Sequence, residues 1–159
     1  MIKIRALKKS DNFKDLFLLS KDFFKGYENY HKGYFKIGKL KEKDVRAFFN
    51  KYIGSKKGKA LVAIDAGSNR IIGYVSFELE YRPGFYKIKK AGYVSSLMVD
   101  KKYRRAGVAK KLMERAIKWF EKKGAKYYYL ETSVKNHEAI RLYEKIKMEP
   151  LRTQFIGRI

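Results

Sequence analysis

The chain has 159 residues, 45% of them hydrophobic, enough for one substantial core, so a single domain over residues 1–159 is the expectation. Lys and Arg number 39 against 16 Asp and Glu, a formal charge of +23 that attracts polyanions, phosphorylated ligands or acidic partners, although solvated lysine-rich helix faces account for most of the cations. The absence of cysteine, with only the distant His31 and His137, excludes disulfides, thiolate chemistry and a zinc site. No apolar run reaches the ~18 residues of a bilayer span and "MIKIRALKKSDNF" lacks a secretory core, so no metal and a cytoplasmic location are expected.

In chain order, Ile2–Ala6 reads as a strand. A helix follows from Ser10 or Asp11, either of which can cap it, with Phe13, Leu16, Phe17 and Phe24 on its apolar side and Gly26 and Gly33 interrupting it. "GYENYHKGYFKIG" has no clean period and reads as an irregular connection. Lys41–Ile53 is a second helix with Val45, Phe48, Phe49 and Tyr52 on one face. Ala60–Ile64 and Ile71–Leu79 form a hairpin around a Gly-Ser-Asn turn, and "RPGFYKIKK" makes the next reversal. Strand Ala91–Val99 leads into helix Gly107–Lys123, in which Val108, Leu112, Ala116 and Phe120 recur at i+4 and Gly124 ends the run. "KYYYLET" reads as a strand, Asn136 as the cap of a helix with Ala139, Ile140, Tyr143 and Ile146 on one face, and "RTQFIGRI" as a last strand that completes the sheet. The chain is therefore an α/β mixture. Its strands Ala91–Val99 and Lys126–Glu131 are parallel if they pair, because a crossover helix joins them.

The turn between Val99 and that crossover helix concentrates cations. A helix start presents amides without intrahelical acceptors, Gly107 lets an anion approach without a Cβ in the way, and Arg104, Arg105 and Lys110 add mobile positive charge, which suits a phosphate; a glycine that merely eases the turn explains the spacing equally well. "GSKKGKA" from Gly54 is no P-loop, since it has three residues between its glycines, no Ser or Thr after Lys59, and leads from helix into strand. There is no G-x-G-x-x-G for a dinucleotide fold.

Arg104-Arg105-Ala106-Gly107-Val108-Ala109 resembles the Q/R-x-x-G-x-G/A signature of the GNAT (Gcn5-related N-acetyltransferase) superfamily, in the expected place after "LMVDKKY". "YLETSVKNHEAIRLYEKIKMEP" resembles the family's following block, and the β–α–α–β–β start extends the likeness over essentially the whole chain. The resemblance implies a three-layer fold: a mixed sheet of about 6–7 strands with a splayed parallel pair and helices on both faces. It also implies acetyl-CoA as co-substrate, with the pyrophosphate on Arg104, Arg105, Ala106, Gly107, Val108, Ala109 and Lys110. The pantetheine arm would pair with the backbone of Leu97, Met98 and Val99, as a strand adds to an open edge. Asn136 resembles the cofactor-contacting asparagine of the last helix, though capping alone explains it, and Tyr143 resembles the family's general acid, which also contacts the cofactor.

The implied reaction is acetyl transfer to a primary amine of a small molecule, peptide N-terminus or lysine, by direct attack through a tetrahedral intermediate with backbone N–H near Leu97–Val99 as oxyanion donor. "AGYVSSLM" holds no carboxylate, so Glu78 and Glu80, on one face of the neighbouring strand by period-two alternation, are the candidate bases, with Glu131 behind them and a water chain at Ser95 or Ser96 as another route. The acceptor is expected near "KGYENYHKGYFKIG" and "YRPGFYKIKK", and a cationic acceptor needs Glu78, Glu80 and Asp65 to form a local negative patch. The alternative function is a basic nucleic-acid or ribonucleoprotein-binding module that keeps the fold without turnover, although no RNA-binding motif is present. An open sheet edge near the C-terminus is compatible with a homodimer.

Overall fold

A computed structural model describes residues 1–159. The elements are β1 (Ile2–Ala6), α1 (Phe13–Glu28), α2 (Glu42–Asn50), β2 (Gly58–Asp65), β3 (Arg70–Tyr81), β4 (Lys90–Val99), a 3₁₀ turn (Lys101–Tyr103), α3 (Val108–Lys122), β5 (Tyr128–Leu130) and α4 (His137–Lys145). The sheet runs β1-β2-β3-β4-β5, antiparallel throughout except for the parallel pair β4–β5.

Alternation along the strands divides the core between the two sheet faces. Phe13, Leu16, Val45, Phe49, Tyr74 and Met98 pack between the sheet and α1/α2. Val75, Phe77, Val108, Leu112, Met113 and Phe120 pack between the sheet and α3. Asp15, buried in the first turn of α1, accepts hydrogen bonds from the Ile71 amide at 3.0 Å and Arg70 Nε at 3.3 Å, which fixes that helix to the start of β3.

Several boundaries differ from the sequence reading. Asn12 caps α1, its side chain accepting from the Lys14 amide, and Gly26 lies inside the helix, where exposure of its neighbours and the continuing aromatic face of Phe23 and Tyr27 tolerate it. "KYYYLET" yields only three paired residues. The largest correction concerns "RTQFIGRI", which forms no strand, so the sheet has five strands where six or seven were expected. Phe155, Ile156 and Ile159 are exposed there, and a short apolar segment takes strand geometry only when a partner edge and a buried face are both supplied.

Gly92 shows how tightly the α3 layer is fitted. A Cβ at that position would stand 2.6 Å from three atoms of the buried Phe120 ring, which packs edge-on against Phe77 at 5.3 Å and stacks on Tyr128 at 6.2 Å. Gly92→Ala forces this ring away from β4 and is expected to lower unfolding stability by about 2–3 kcal/mol, the usual scale of overpacking, as measured by urea denaturation.

Candidate active site

Pairing between β4 and β5 covers only Gly92–Val94 against Tyr128–Leu130. Beyond Val94 the two strands part, so Ser95–Val99 presents a free edge on the β5 side, and this is the backbone that includes Leu97, Met98 and Val99. A register shift accompanies the parting: Ser76 faces Ser96 while Phe77 faces Val94, leaving Ser95 as an extra, bulged residue. The bulge turns two serines toward one place. Ser76 Oγ lies 2.7 Å from Ser95 Oγ and 2.5 Å from Ser96 Oγ, and Ser95 Oγ also shares a hydrogen bond of 2.8 Å with the phenol of Tyr52.

The free edge runs into the cationic turn. Arg105 has φ 64° and Gly107 φ 75°, two left-handed residues within three that bend the chain sharply into α3, with Gly107 as its N-cap. Left-handed residues in such a turn aim successive amides into one concavity, and the start of the 15-residue α3 adds its own unsatisfied amides and dipole. Nothing lies within 4 Å of where a Gly107 Cβ would stand, so the concavity is open. Arg105, Ala106, Gly107 and Lys110 are exposed around it, Ala109 is half-buried, and Val108 is buried in the core, where it contributes backbone only. These features fit a pyrophosphate.

Arg104 has a different setting from its neighbours. Its Nε donates to the Val99 carbonyl at 3.3 Å and its guanidinium pairs with Glu138 of α4 at 3.0 Å, so it ties the end of β4 to α4. Asn136 caps α4 by accepting from the Ala139 amide at 3.3 Å and donates to Thr132 Oγ1 at 3.2 Å.

On the α1/α2 face, at the β5 side, side chains from four elements converge. Glu78 is half-buried and pairs with Lys51 at 3.6 Å, while the more exposed Glu80 accepts a hydrogen bond from the phenol of Tyr129, which reaches across β4. The Tyr129 ring lies 5.0 Å from that of Tyr93, the residue opposite Glu78 in the ladder. Burial, the hydrogen bond to Glu80 and the negative charge nearby push the Tyr129 phenol far above its ordinary range, so it stays a donor and Glu80 remains the proton acceptor of the pair. Tyr93 is raised first by burial and then by Glu131, Glu80 and, more weakly, Glu78, which places all three carboxylates around it.

Tyr27 of α1 links this group to α4. Its phenol is raised by burial and by Tyr30, Tyr93 and Glu131, and its ring packs edge-on against Tyr30 at 5.5 Å and Phe35 at 5.1 Å. Tyr143 is half-buried on α4, and burial, followed by Tyr27 and Tyr30, pushes its phenol up to about 12. It is therefore protonated throughout the physiological range. Lys135 Nζ donates to the Tyr30 carbonyl at 2.9 Å, which holds the α1–α2 connection against the loop before α4.

Sequence reasoning named Glu78, Glu80, Glu131 and Tyr143 and put Tyr27 only within the acceptor segment, without singling out Tyr93 or Tyr129. The signal was available in part: parallel pairing of β4 with β5 sets Tyr93 beside Tyr129 once the register is known. Asp65 does not join the negative patch. It lies at the Arg70 end of the hairpin, accepting from Ser68 and Tyr103, roughly 26 Å along β3 from Glu78 at ~3.3 Å per residue.

A sequence profile of the Acetyltransferase (GNAT) family matches residues 20–148. An N-alpha-acetyltransferase from Saccharolobus solfataricus is 35% identical over 91 residues, which amount to 53% of each chain, so this protein spans about half the length of that relative in the match. Among solved structures, a tetramutant of the BH1408 protein from Bacillus halodurans superposes with a TM-score of 0.85 at 19% identity, covering 99% of both chains. AAC(6')-Iy in complex with the bisubstrate analogue CoA-S-monomethyl-acetylneamine gives a TM-score of 0.72 at 16% identity, covering 100% of this chain and 98% of the other. At such identities the likeness to both structures is one of fold.

Proposed function

The chain belongs to the acetyltransferase (GNAT) family, and from that premise we propose that residues 1–159 act as one domain that transfers the acetyl group of acetyl-CoA directly to the α-amino group of a peptide. The observation that carries this reading is the parting of β4 from β5. One free edge there ends in the left-handed Arg105–Gly107 turn, and a carboxylate–tyrosine group stands on the adjoining face.

The acyl group arrives activated as the thioester of acetyl-CoA. Arg105, Lys110 and the amides from Arg105 to Lys110 bind the pyrophosphate, the backbone of Leu97–Val99 aligns the pantetheine arm, and an amide on the same edge faces the thioester oxygen. Asn136 and Arg104 hold α4 and the end of β4 in place around it. Tyr143, kept protonated by burial, returns a proton to the departing sulfur.

The acceptor side favours an α-amine on physical grounds. An α-amino group, with reference pKa about 7.7–8.0, is substantially neutral near physiological pH, whereas a lysine at about 10.4 is almost wholly charged. An α-amine therefore needs only a modest, solvent-connected proton acceptor, and Glu80 with its Tyr129 donor is of that kind. Glu78, Glu80 and Glu131 also give a local negative field in a chain of formal charge +23, without which an ammonium group would be repelled. Half-buried Tyr27 and Tyr30 offer flat, hydrogen-bonding walls for a peptide backbone.

Transfer from labelled acetyl-CoA should therefore be measured to three acceptors: a lysine-free peptide with a free N-terminus, an N-terminally blocked peptide with one lysine, and glucosamine 6-phosphate. The free N-terminus is the expected acceptor, and acetylation of the blocked peptide at an equal rate would overturn the α-amine assignment. With the good acceptor, Glu80→Gln is expected to lower kcat by about a hundredfold near neutrality, a typical general-base effect, and to regain rate as pH rises and the amine loses its own proton. A uniform loss at all pH values would remove Glu80 from the proton path.

A further inference from the structure

Away from the β4–β5 cleft, a groove runs between α3 and the β1–β2 edge of the sheet. It consists of two adjoining hollows of about 250 and 230 Å³ that share Ile4, Arg115 and Lys118. Its floor is apolar: Ile2, Ile4 and Leu61 from the strands and the half-buried Trp119. Its rim is cationic. Lys111, Arg115, Lys118 and Lys122 follow one another at i+4, i+3 and i+4, which puts them in a single row on the exposed side of α3, and Lys59 of β2 stands on the opposite wall. The row spans roughly 16 Å at ~1.5 Å per residue.

None of these five cations is in an ion pair. The six salt bridges of the chain lie at Arg5, Arg46, Lys51, Arg70, Arg104 and Lys110, and Glu114, the one carboxylate lining the hollows, is paired with Lys110 at 3.8 Å and with none of the row. An unpaired row of this length beside an apolar floor differs from an ordinary wetted helix face, where opposite charges alternate at i+4 spacing. The groove opens on the β1–β2 side of the sheet, whereas the β4–β5 cleft lies at its other end, and only Lys111, next to Lys110, comes near the pyrophosphate turn.

We propose that this groove docks a single-stranded nucleic acid through its phosphates. Charge complementarity sets the partner's sign, and the linear row sets its form: successive cations along one line meet successive phosphates of one backbone. A single strand can set its phosphates on the row and also turn a base inward against Trp119, whereas the bases of a duplex stay stacked and paired away from the floor and a membrane has no base to offer. Contact through phosphates alone reads no sequence, so RNA and DNA strands of one sequence bind alike. This proposal stands independently of the acetyl-transfer reading.

The test uses fluorescence anisotropy of labelled single-stranded RNA and DNA of about 20 nucleotides, titrated with the 159-residue chain between about 50 and 200 mM salt. Trp119 is the chain's one tryptophan, so its intrinsic emission reports groove occupancy in the same titration. A groove variant carries Lys59→Gln, Arg115→Gln, Lys118→Gln and Lys122→Gln. A control of equal net charge carries Lys9→Gln, Lys14→Gln, Lys21→Gln and Lys43→Gln, all exposed and outside the groove. The groove variant is expected to bind at least about tenfold more weakly, with its log–log salt slope shallower by about 3, while the control binds like the parent and Trp119 emission changes on binding.

Melting temperature and acetyl-CoA binding, both unchanged in the two variants, exclude misfolding. Equal losses in both variants, or no binding by the parent at the low salt, would overturn the proposal by assigning any effect to bulk charge. Tighter binding to phosphatidylserine–phosphatidylcholine vesicles, lost in the groove variant, would overturn it in favour of a lipid surface.

Discussion

Gly107→Glu is expected to abolish acetyl-CoA binding while leaving the fold intact. Gly107 holds φ 75° as the N-cap of α3, and a Cβ there meets nothing within 4 Å, so the replacement causes no clash. Its effects are two. A side-chain-bearing residue in the left-handed region costs about 1–2 kcal/mol, which for a chain of this size lowers the melting temperature by only about 2–8 °C. A carboxylate at the mouth of the amide concavity then occupies the place of a pyrophosphate oxygen and repels the rest. Isothermal titration should show affinity weakened at least about a hundredfold. Gly107→Ala carries the backbone strain without the charge and should lose no more than about tenfold, so the pair separates the two causes. Unaltered binding in the glutamate variant would place the cofactor elsewhere.

Tyr143→Phe is expected to lower kcat by about 10²–10³ while acetyl-CoA affinity changes by less than about twofold, the pattern of an interaction made in the transition state. The Tyr143 phenol has no hydrogen-bond partner within the chain and faces Tyr27 and Tyr30, so its oxygen is available to a ligand and its loss removes no internal contact. Because burial holds it up to about 12, this group should impose no fall in rate through pH 10, a feature that the alkaline limb of the profile checks directly. Unchanged kcat would leave reprotonation of the sulfur to solvent. An equal loss in binding and rate would make Tyr143 a wall of the pocket and not an acid.

The two variants bear on opposite ends of one cleft, and its negative end needs the basic rest of the chain to be held away. Lys51 pairs with Glu78, and the row on α3 lies on the opposite face of the sheet, toward β1 and β2. A protein of charge +23 can thus present both a negative acceptor site and an unpaired cationic groove, because at physiological salt the Debye length of ~8 Å keeps the two surfaces nearly independent.

Element type was legible in the sequence wherever one period ran long enough to dominate. The i+4 stripe from Val108 to Phe120, the alternation through Ile71–Leu79 and the glycine at 124 each fixed an element by local sterics and one buried face. The cationic turn was legible for the same reason, since a signature of contiguous residues needs no tertiary information to be recognised. "RTQFIGRI" has suitable residue types but pairs with none of the sheet's edges, and strand formation is decided by the partner.

The proposed acceptor site was only half legible. Alternation put Glu78 and Glu80 on one face, but Tyr27, Tyr93, Tyr129 and Tyr143 come from four elements, and only the β4–β5 register and the docking of α1 and α4 bring them together. The same holds for the bulge at Ser95, which depends on a one-residue shift between strands, and for the groove, whose row is written in α3 but whose floor and opposite wall come from β1 and β2. The sequence by itself determined the elements, the signature turn and the sign of the surface, because these follow from neighbours along the chain. Tertiary structure decided which strand edge stays open, which side chains meet and which cations go unpaired, because those outcomes depend on contacts between residues far apart in sequence.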